Sequence, residues 1–192
     1  MSASQIPVDS TLDCKGLACP MPIVKTKKAI DNLNAGQIIE IQATDQGSVA
    51  DMQSWTRKTG HQYLGLVEEA GLLKHYIRKA SPDEMKEDKM YPNTASHEEL
   101  SRNLGEPGLT VLDVREPAEF AFSHIPGALS MPLGELKARY NELDQEHKIY
   151  VVCRTGSRSD LACQQLEEFG FDHVWNVTPG MTKWQGTTEK TV

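Results

Sequence analysis

Two of the four cysteines stand in settings that would change their chemistry. Cys153 closes an apolar run in KIYVVCRTGSRSDLACQQLEEFG, with glycine, hydroxyls and two arginines just after it and a helical pattern beyond. The amides of residues 154–159 can curl toward its sulfur, with Gly156 supplying a conformation that residues bearing a Cβ resist. The positive end of the following helix points the same way. Such a setting stabilises a thiolate and depresses the cysteine's pKa. Arg154 and Arg158 add positive charge that suits an anionic ligand. The ordinary alternative is a core cysteine at a strand end. The crowding of Thr155, Gly156, Ser157, Ser159 and both arginines on one side of Cys153 argues against it.

The second setting is LDCKGLACPMP at 12–22. Pro20 suits the first turn of a helix, so Cys19 falls at or near the N-cap, where a thiol is expected to be more acidic than a free cysteine. On the residues alone a buried role stays open for Cys19. Cys14 reads as strand core, with a resolving thiol as the alternative. Cys163, beside Ala162 and Leu166, reads as core. His61 and His124 read as structural, near a strand start and a tight turn. The cysteines lack CxxC spacing and the histidines lack ligand pairing, so neither a metal nor a cofactor is expected.

These thiols need elements to hold them. In the first part of the chain the pattern predicts a strand at 11–14, a helix at 20–33 with Ile23, Ile30 and Leu33 on one face, and a strand at 38–43. A helix at 47–59, ended by Gly60, and a hairpin of strands 61–68 and 72–78 around Ala70-Gly71 follow. The order βαβαββ implies a two-layer sandwich. In the second part, a helix at 96–104, a strand at 109–113, a helix at 133–140 and a strand at 148–152 lead to the loop 153–158. A helix at 159–169, a strand at 173–176 and a final helix starting near Gly180 complete it. Strands alternating with helices imply a parallel α/β sheet covered on both faces. Ligands gather at the carboxyl ends of such strands, where Cys153 lies.

Between the two parts, residues 81–93 (SPDEMKEDKMYPN) contain two prolines and six charges and read as a solvated linker. Two units result: 10–79 and 95–188, with 80–94 between them. The net charge of −7 is concentrated in the second unit and argues against direct nucleic-acid binding. No run approaches a membrane span and the N-terminus lacks a secretory pattern, so a cytoplasmic setting with reduced thiols is expected.

CRTGSRS at 153–159 resembles the CRxGxRS active-site loop of single-domain rhodaneses. LDVREPAEFAFSHIPGALSMPL at 112–133 and PGMTKW at 179–184 match in order, and the likeness covers about residues 95–186. Pro179 departs from it, standing where the family usually has a first glycine before Gly180. The resemblance implies a sulfurtransferase in which Cys153 takes the outer sulfur of thiosulfate or another persulfide donor and passes it to a nucleophile. It also implies that Arg154, Thr155, Gly156, Ser157, Arg158 and Ser159 form the substrate-binding loop. Asp113 and Arg115 resemble the family's DxR segment and are read as scaffold.

CPMP at 19–22, preceded by Gly16-Leu17, resembles the CPxP mark of the TusA/SirA sulfur carriers, and DQGSVADMQSWTRKTGHQYLG at 45–65 extends the likeness across about 10–79. Gln46 departs from the family's DPG. This resemblance implies the same βαβαββ sandwich, with Cys19 as a persulfide carrier serving sulfur-relay proteins. Transfer between Cys153 and Cys19 follows as the expectation, in either direction. Two other readings stay open. One is a carrier that holds sulfur without turnover. The other is a phosphatase or arsenate reductase, disfavoured by the six-residue loop and the lack of a nearby general-acid aspartate.

Overall fold

The computed structural model describes residues 6–85 and 91–192 in two units, divided after Pro82. In the first, β1 (Ser10–Cys14), α1 (Met21–Asp31), β2 (Ile38–Ala43), α2 (Ser48–Thr59), β3 (Gln62–Glu69) and β4 (Leu72–Arg78) follow in order. The sheet runs β1-β2-β4-β3, with β1 parallel to β2 and the remaining pairs antiparallel.

Alternation along the strands decides which face is covered. Ile39, Ile41 and Ile77 point into one core with Ile30 of α1, Met52 of α2 and Cys14. Full burial of each large apolar side chain stabilises by roughly 1.5–3 kcal/mol. The opposite face carries Glu40 and Tyr76, whose hydroxyl donates to the Glu40 carboxylate at 2.7 Å. His75 is the polar exception on the helix side. It is fully buried between the Ser48 and Tyr63 hydroxyls, each 2.9 Å from a ring nitrogen, and burial lowers its pKa to about 4.

The second unit holds a five-stranded, wholly parallel sheet ordered β5-β9-β8-β6-β7. Its elements are β5 (Thr94–Ala95), α3 (His97–Asn103), β6 (Leu109–Asp113), α4 (Pro117–Phe122), β7 (Leu129–Ser130), α5 (Leu136–Arg139), β8 (Lys148–Val152), α6 (Ser157–Glu168) and β9 (Val174–Val177). Along β8, Ile149 and Val151 pack with Leu136 of α5 and Leu166 of α6, whereas Tyr150 and Val152 pack with Leu100 of α3. Helices therefore cover both faces, as the alternating pattern implies.

The expected elements differ from the structure at several points. Two short strands, β5 and β7, and the six-residue helix α4 carry too few residues to set a period. Residues 133–140 break into a 3₁₀ turn, the short α5 and the start of a second 3₁₀ turn. The final helix expected near Gly180 is only a 3₁₀ turn, Met181–Lys183. The solvated linker is partly docked: Pro82–Met85 forms a 3₁₀ turn, and Glu84 and Tyr91 are both buried. The rest of that segment, 86–90, lies outside the described residues.

Asp113 and Arg115 brace the end of β6, as their scaffold reading implies. Asp113 is fully buried and accepts three guanidinium bonds, at 2.9 Å, 3.1 Å and 2.6 Å, while Arg115 also donates to the Ser123 carbonyl at 2.7 Å. Burial works against the Arg115 charge, but Asp113 more than offsets it and raises the guanidinium pKa. Replacing Arg115 with methionine should therefore strand a buried carboxylate and cost about 3–5 kcal/mol of stability. Urea unfolding of the variant checks this, and a loss below about 1 kcal/mol would contradict it, since that is the worth of an exposed pair.

Candidate active site

Cys153 follows β8 directly and is fully buried. The Gly156 amide donates to its sulfur at 3.0 Å, and the Ser159 hydroxyl oxygen stands 3.2 Å from it. Gly156 has φ of +99°, a left-handed value that glycine adopts without strain, and it is the N-cap of α6. The helix thus begins at the loop, with its amides and positive end toward the sulfur. Hydrogen bonds from neutral donors favour negative charge on an acceptor, so this cradle suits a thiolate or the terminal sulfur of a persulfide.

A layer of polar side chains fixes the cradle. Buried Asn176 of β9 accepts from Ser159 at 2.6 Å and donates to the Gly156 carbonyl at 3.0 Å. Gly180 closes the other side. A Cβ there would fall 2.7 Å from the Cys153 and Arg154 carbonyl oxygens, so only glycine lets the chain approach this closely. The same two carbonyls accept from the Met181 and Thr182 amides at 2.8 Å and 3.0 Å.

Both loop arginines are engaged inside the unit. Arg158 grips the Glu119 carboxylate with bonds of 2.7 Å and 3.0 Å. Burial opposes its charge, yet Glu119 outweighs burial and raises its pKa, with the Cys153 sulfur adding to the effect. Arg154 pairs with Glu84 at 3.0 Å. The Thr155 and Ser157 hydroxyls donate to the Glu84 carbonyl at 2.7 Å and 3.1 Å. The structure therefore brings all six expected loop residues around Cys153, but turns both guanidinium groups onto carboxylates that the sequence reading did not include.

Cys19 sits differently. It is exposed and precedes Pro20, which is the N-cap of α1, so it stands one position before the cap. Its amide donates to the Asp45 carboxylate at 3.3 Å. The expected acidic thiol is overturned here. The nearby Asp51 carboxylate above all, with slight burial and the negative charge of Asp45, raises the Cys19 pKa. Two carboxylates near the sulfur act against the positive end of this 11-residue helix. Neither acid adjoins Cys19 in sequence; only the fold of β2 and α2 brings them there.

The other thiols are remote from solvent. Cys14 and Cys163 are fully buried, and burial raises both pKa values. His61 accepts from the Ala80 amide, and His124 stacks on Phe120 and bonds its carbonyl. Both act within the packing.

The parallel sheet with its cysteine loop defines a rhodanese-like unit, and the mixed sandwich with its exposed CPMP cysteine defines a sulfur-carrier unit. Residues 10–79 match the family model described as Sulfurtransferase TusA, and residues 96–187 match that of the Rhodanese-like domain. A protein of Bacillus subtilis (strain 168), described as "Putative sulfur carrier protein YrkF", is 44% identical over 178 residues, covering 93% of this chain and 96% of that one. A "Sulfurtransferase" of Allochromatium vinosum is 33% identical over 93 residues, covering 48% of this chain and 87% of its own. The solved rhodanese-like domain of the Anabaena sp. Alr3790 protein is 32% identical, covers 53% of this chain and 80% of that one, and superposes with a TM-score of 0.48. The chain belongs to the family of sulfur carriers and sulfurtransferases in which a TusA domain is followed by a rhodanese-like domain.

The acids beside Cys19 make a quantitative expectation. Asp51→Asn should lower the thiol pKa and so raise its thiolate fraction at any pH below that pKa. Alkylation of Cys19 by iodoacetamide at pH 7.5, followed by peptide mass, should speed up about 3- to 10-fold, because removing the neighbouring charge favours the thiolate. The gain should vanish at a pH where both thiols are ionised. An unchanged rate at pH 7.5 would remove Asp51 as the cause.

Proposed function

We propose that the chain transfers sulfane sulfur through cysteine persulfides, with Cys153 as nucleophile and Cys19 as the second sulfur-carrying thiol. The observation that carries this is the hydrogen bond that the Gly156 amide donates to the Cys153 sulfur at the start of α6. In the forward direction the Cys153 thiolate attacks the outer sulfur of thiosulfate. A new S–S bond forms as the old one breaks, and sulfite leaves with the bonding pair. The terminal sulfur of the resulting persulfide is then taken by a second nucleophile, which restores the Cys153 thiolate. Cys19 is the acceptor within the chain; the reverse direction, with Cys19 loaded first by a relay protein, uses the same bonds. A low-molecular-weight persulfide serves as donor equally well in this scheme. Arg154, Thr155, Gly156, Ser157, Arg158 and Ser159 form the loop that receives the donor.

Joining the two thiols in one chain raises their mutual concentration to about the millimolar range. The reading places the chain in the cytoplasm, where thiols stay reduced, with sulfur-relay proteins as partners and no direct role for nucleic acid or a membrane. Among the described residues no helix is long and apolar enough to cross a membrane.

A second reading, a carrier without turnover, is favoured by one observation: Cys153 is fully buried and both loop arginines are held by carboxylates. Thiosulfate and cyanide separate the two. Turnover predicts thiocyanate formation that falls to background in Cys153→Ser, whereas a pure carrier predicts protein persulfide with negligible thiocyanate. Intact and peptide mass after loading should place one added sulfur on Cys153 and, with time, one on Cys19. Thiocyanate formation that survives in Cys153→Ser excludes Cys153 as nucleophile; a Cys19 that never gains sulfur excludes the relay alone.

A further inference from the structure

Glu84 is an acid placed where an anionic donor would bind. Its side chain is 7% exposed and that of Arg154 is 17% exposed, and the two meet at 3.0 Å. Its carbonyl takes the hydroxyl hydrogens of both Thr155 and Ser157. Three of the loop's polar side chains are therefore satisfied by one residue that precedes the rhodanese-like sheet. The Glu84 charge also contributes to the raised pKa of Arg158, so it is felt at both loop cations. A carboxylate this buried is held because Arg154 answers it, and Arg154 is correspondingly committed.

We propose that Glu84 is a specificity-determining residue that sets this loop against small dianionic sulfur donors. The inference rests on the sulfurtransferase reading of Cys153 and concerns which donors that site admits. A dianion such as thiosulfate must displace the Glu84 carboxylate from Arg154 and meet its charge at close range. A donor of lower charge gives up less, because it depends less on Arg154 and is repelled less by Glu84. The anion seat of the loop is filled from within the chain, and selectivity follows from charge rather than from shape.

Glu84→Gln removes the charge and leaves the backbone carbonyl to its two hydroxyl donors. The test compares thiosulfate, a dianion, with benzenethiosulfonate, a monoanion, in thiocyanate formation by the full chain. The variant should lower KM for thiosulfate on the order of fivefold or more, with less than about a twofold change for benzenethiosulfonate, as expected for loss of one close, partly screened charge. Equal gains with both donors would overturn the proposal, because they would make Glu84 a neutral cover. Unchanged KM for thiosulfate would also overturn it.

A second measurement needs no turnover. The rates at which iodoacetate and iodoacetamide alkylate Cys153, read by peptide mass, differ chiefly by reagent charge. The ratio of the iodoacetate rate to the iodoacetamide rate should rise in the variant by a factor similar to the thiosulfate gain. If it stays fixed the proposal fails. If wild type and variant both make no thiocyanate while the ratio rises, the sulfurtransferase reading fails and the charge selection by Glu84 stands.

Discussion

A buried row of alternating charges holds the reactive loop in place. It runs from Asp113 at the end of β6 through Arg115 and Glu119 of α4 to Arg158 on the first turn of α6. Ions out of water are tolerated only with good partners, and removing one exposes the rest to an uncompensated charge. The row ties the stretch from Asp113 to Glu119, which links β6 to α4, to the helix capped by Gly156. Movement of the loop would pull Arg158 from Glu119, so the position of the Cys153 sulfur is fixed by electrostatics several residues away as well as by the Gly156 amide.

The two candidate thiols show opposite solutions to the handling of sulfur. Cys153 is enclosed, with the Gly156 amide pointing at it from the start of α6, an environment that suits negative charge on sulfur. Cys19 is open to solvent beside two carboxylates that favour the protonated thiol. One site suits holding charge on sulfur, and the other suits keeping an exposed sulfur quiet until something neutralises its neighbours. Cys14 and Cys163 stand apart from both, buried where ionisation is costly.

Much of this was legible in the sequence where the signal is local. The strand, loop and helix around Cys153 lie in one continuous stretch, with the apolar run of β8, Gly156 and the helical period of α6 in consecutive order. The sandwich order of the first unit was legible for the same reason, since each helix and strand there is long enough to show its period. What could not be read depends on contacts between distant positions. Glu119 is 39 residues from Arg158, and Asn176 is 17 from Ser159. Asp45 is 26 residues from Cys19, and its charge, with that of Asp51, raises the thiol pKa against the acidity expected from the helix start. Glu84 sits in a charged, proline-bearing stretch whose composition suggests a linker, and only its burial against the loop reveals otherwise.

The seat of Gly180 separates two adjacent positions that a motif treats as alike. At 180 there is no room for even one carbon beyond the backbone, because the carbonyls of Cys153 and Arg154 already fill it. At 179 a full pyrrolidine ring is accommodated. A two-glycine signature searched for at this rim would therefore reject a chain whose architecture is intact. The informative letter is the second one, and latitude at its neighbour is a property of the space available there.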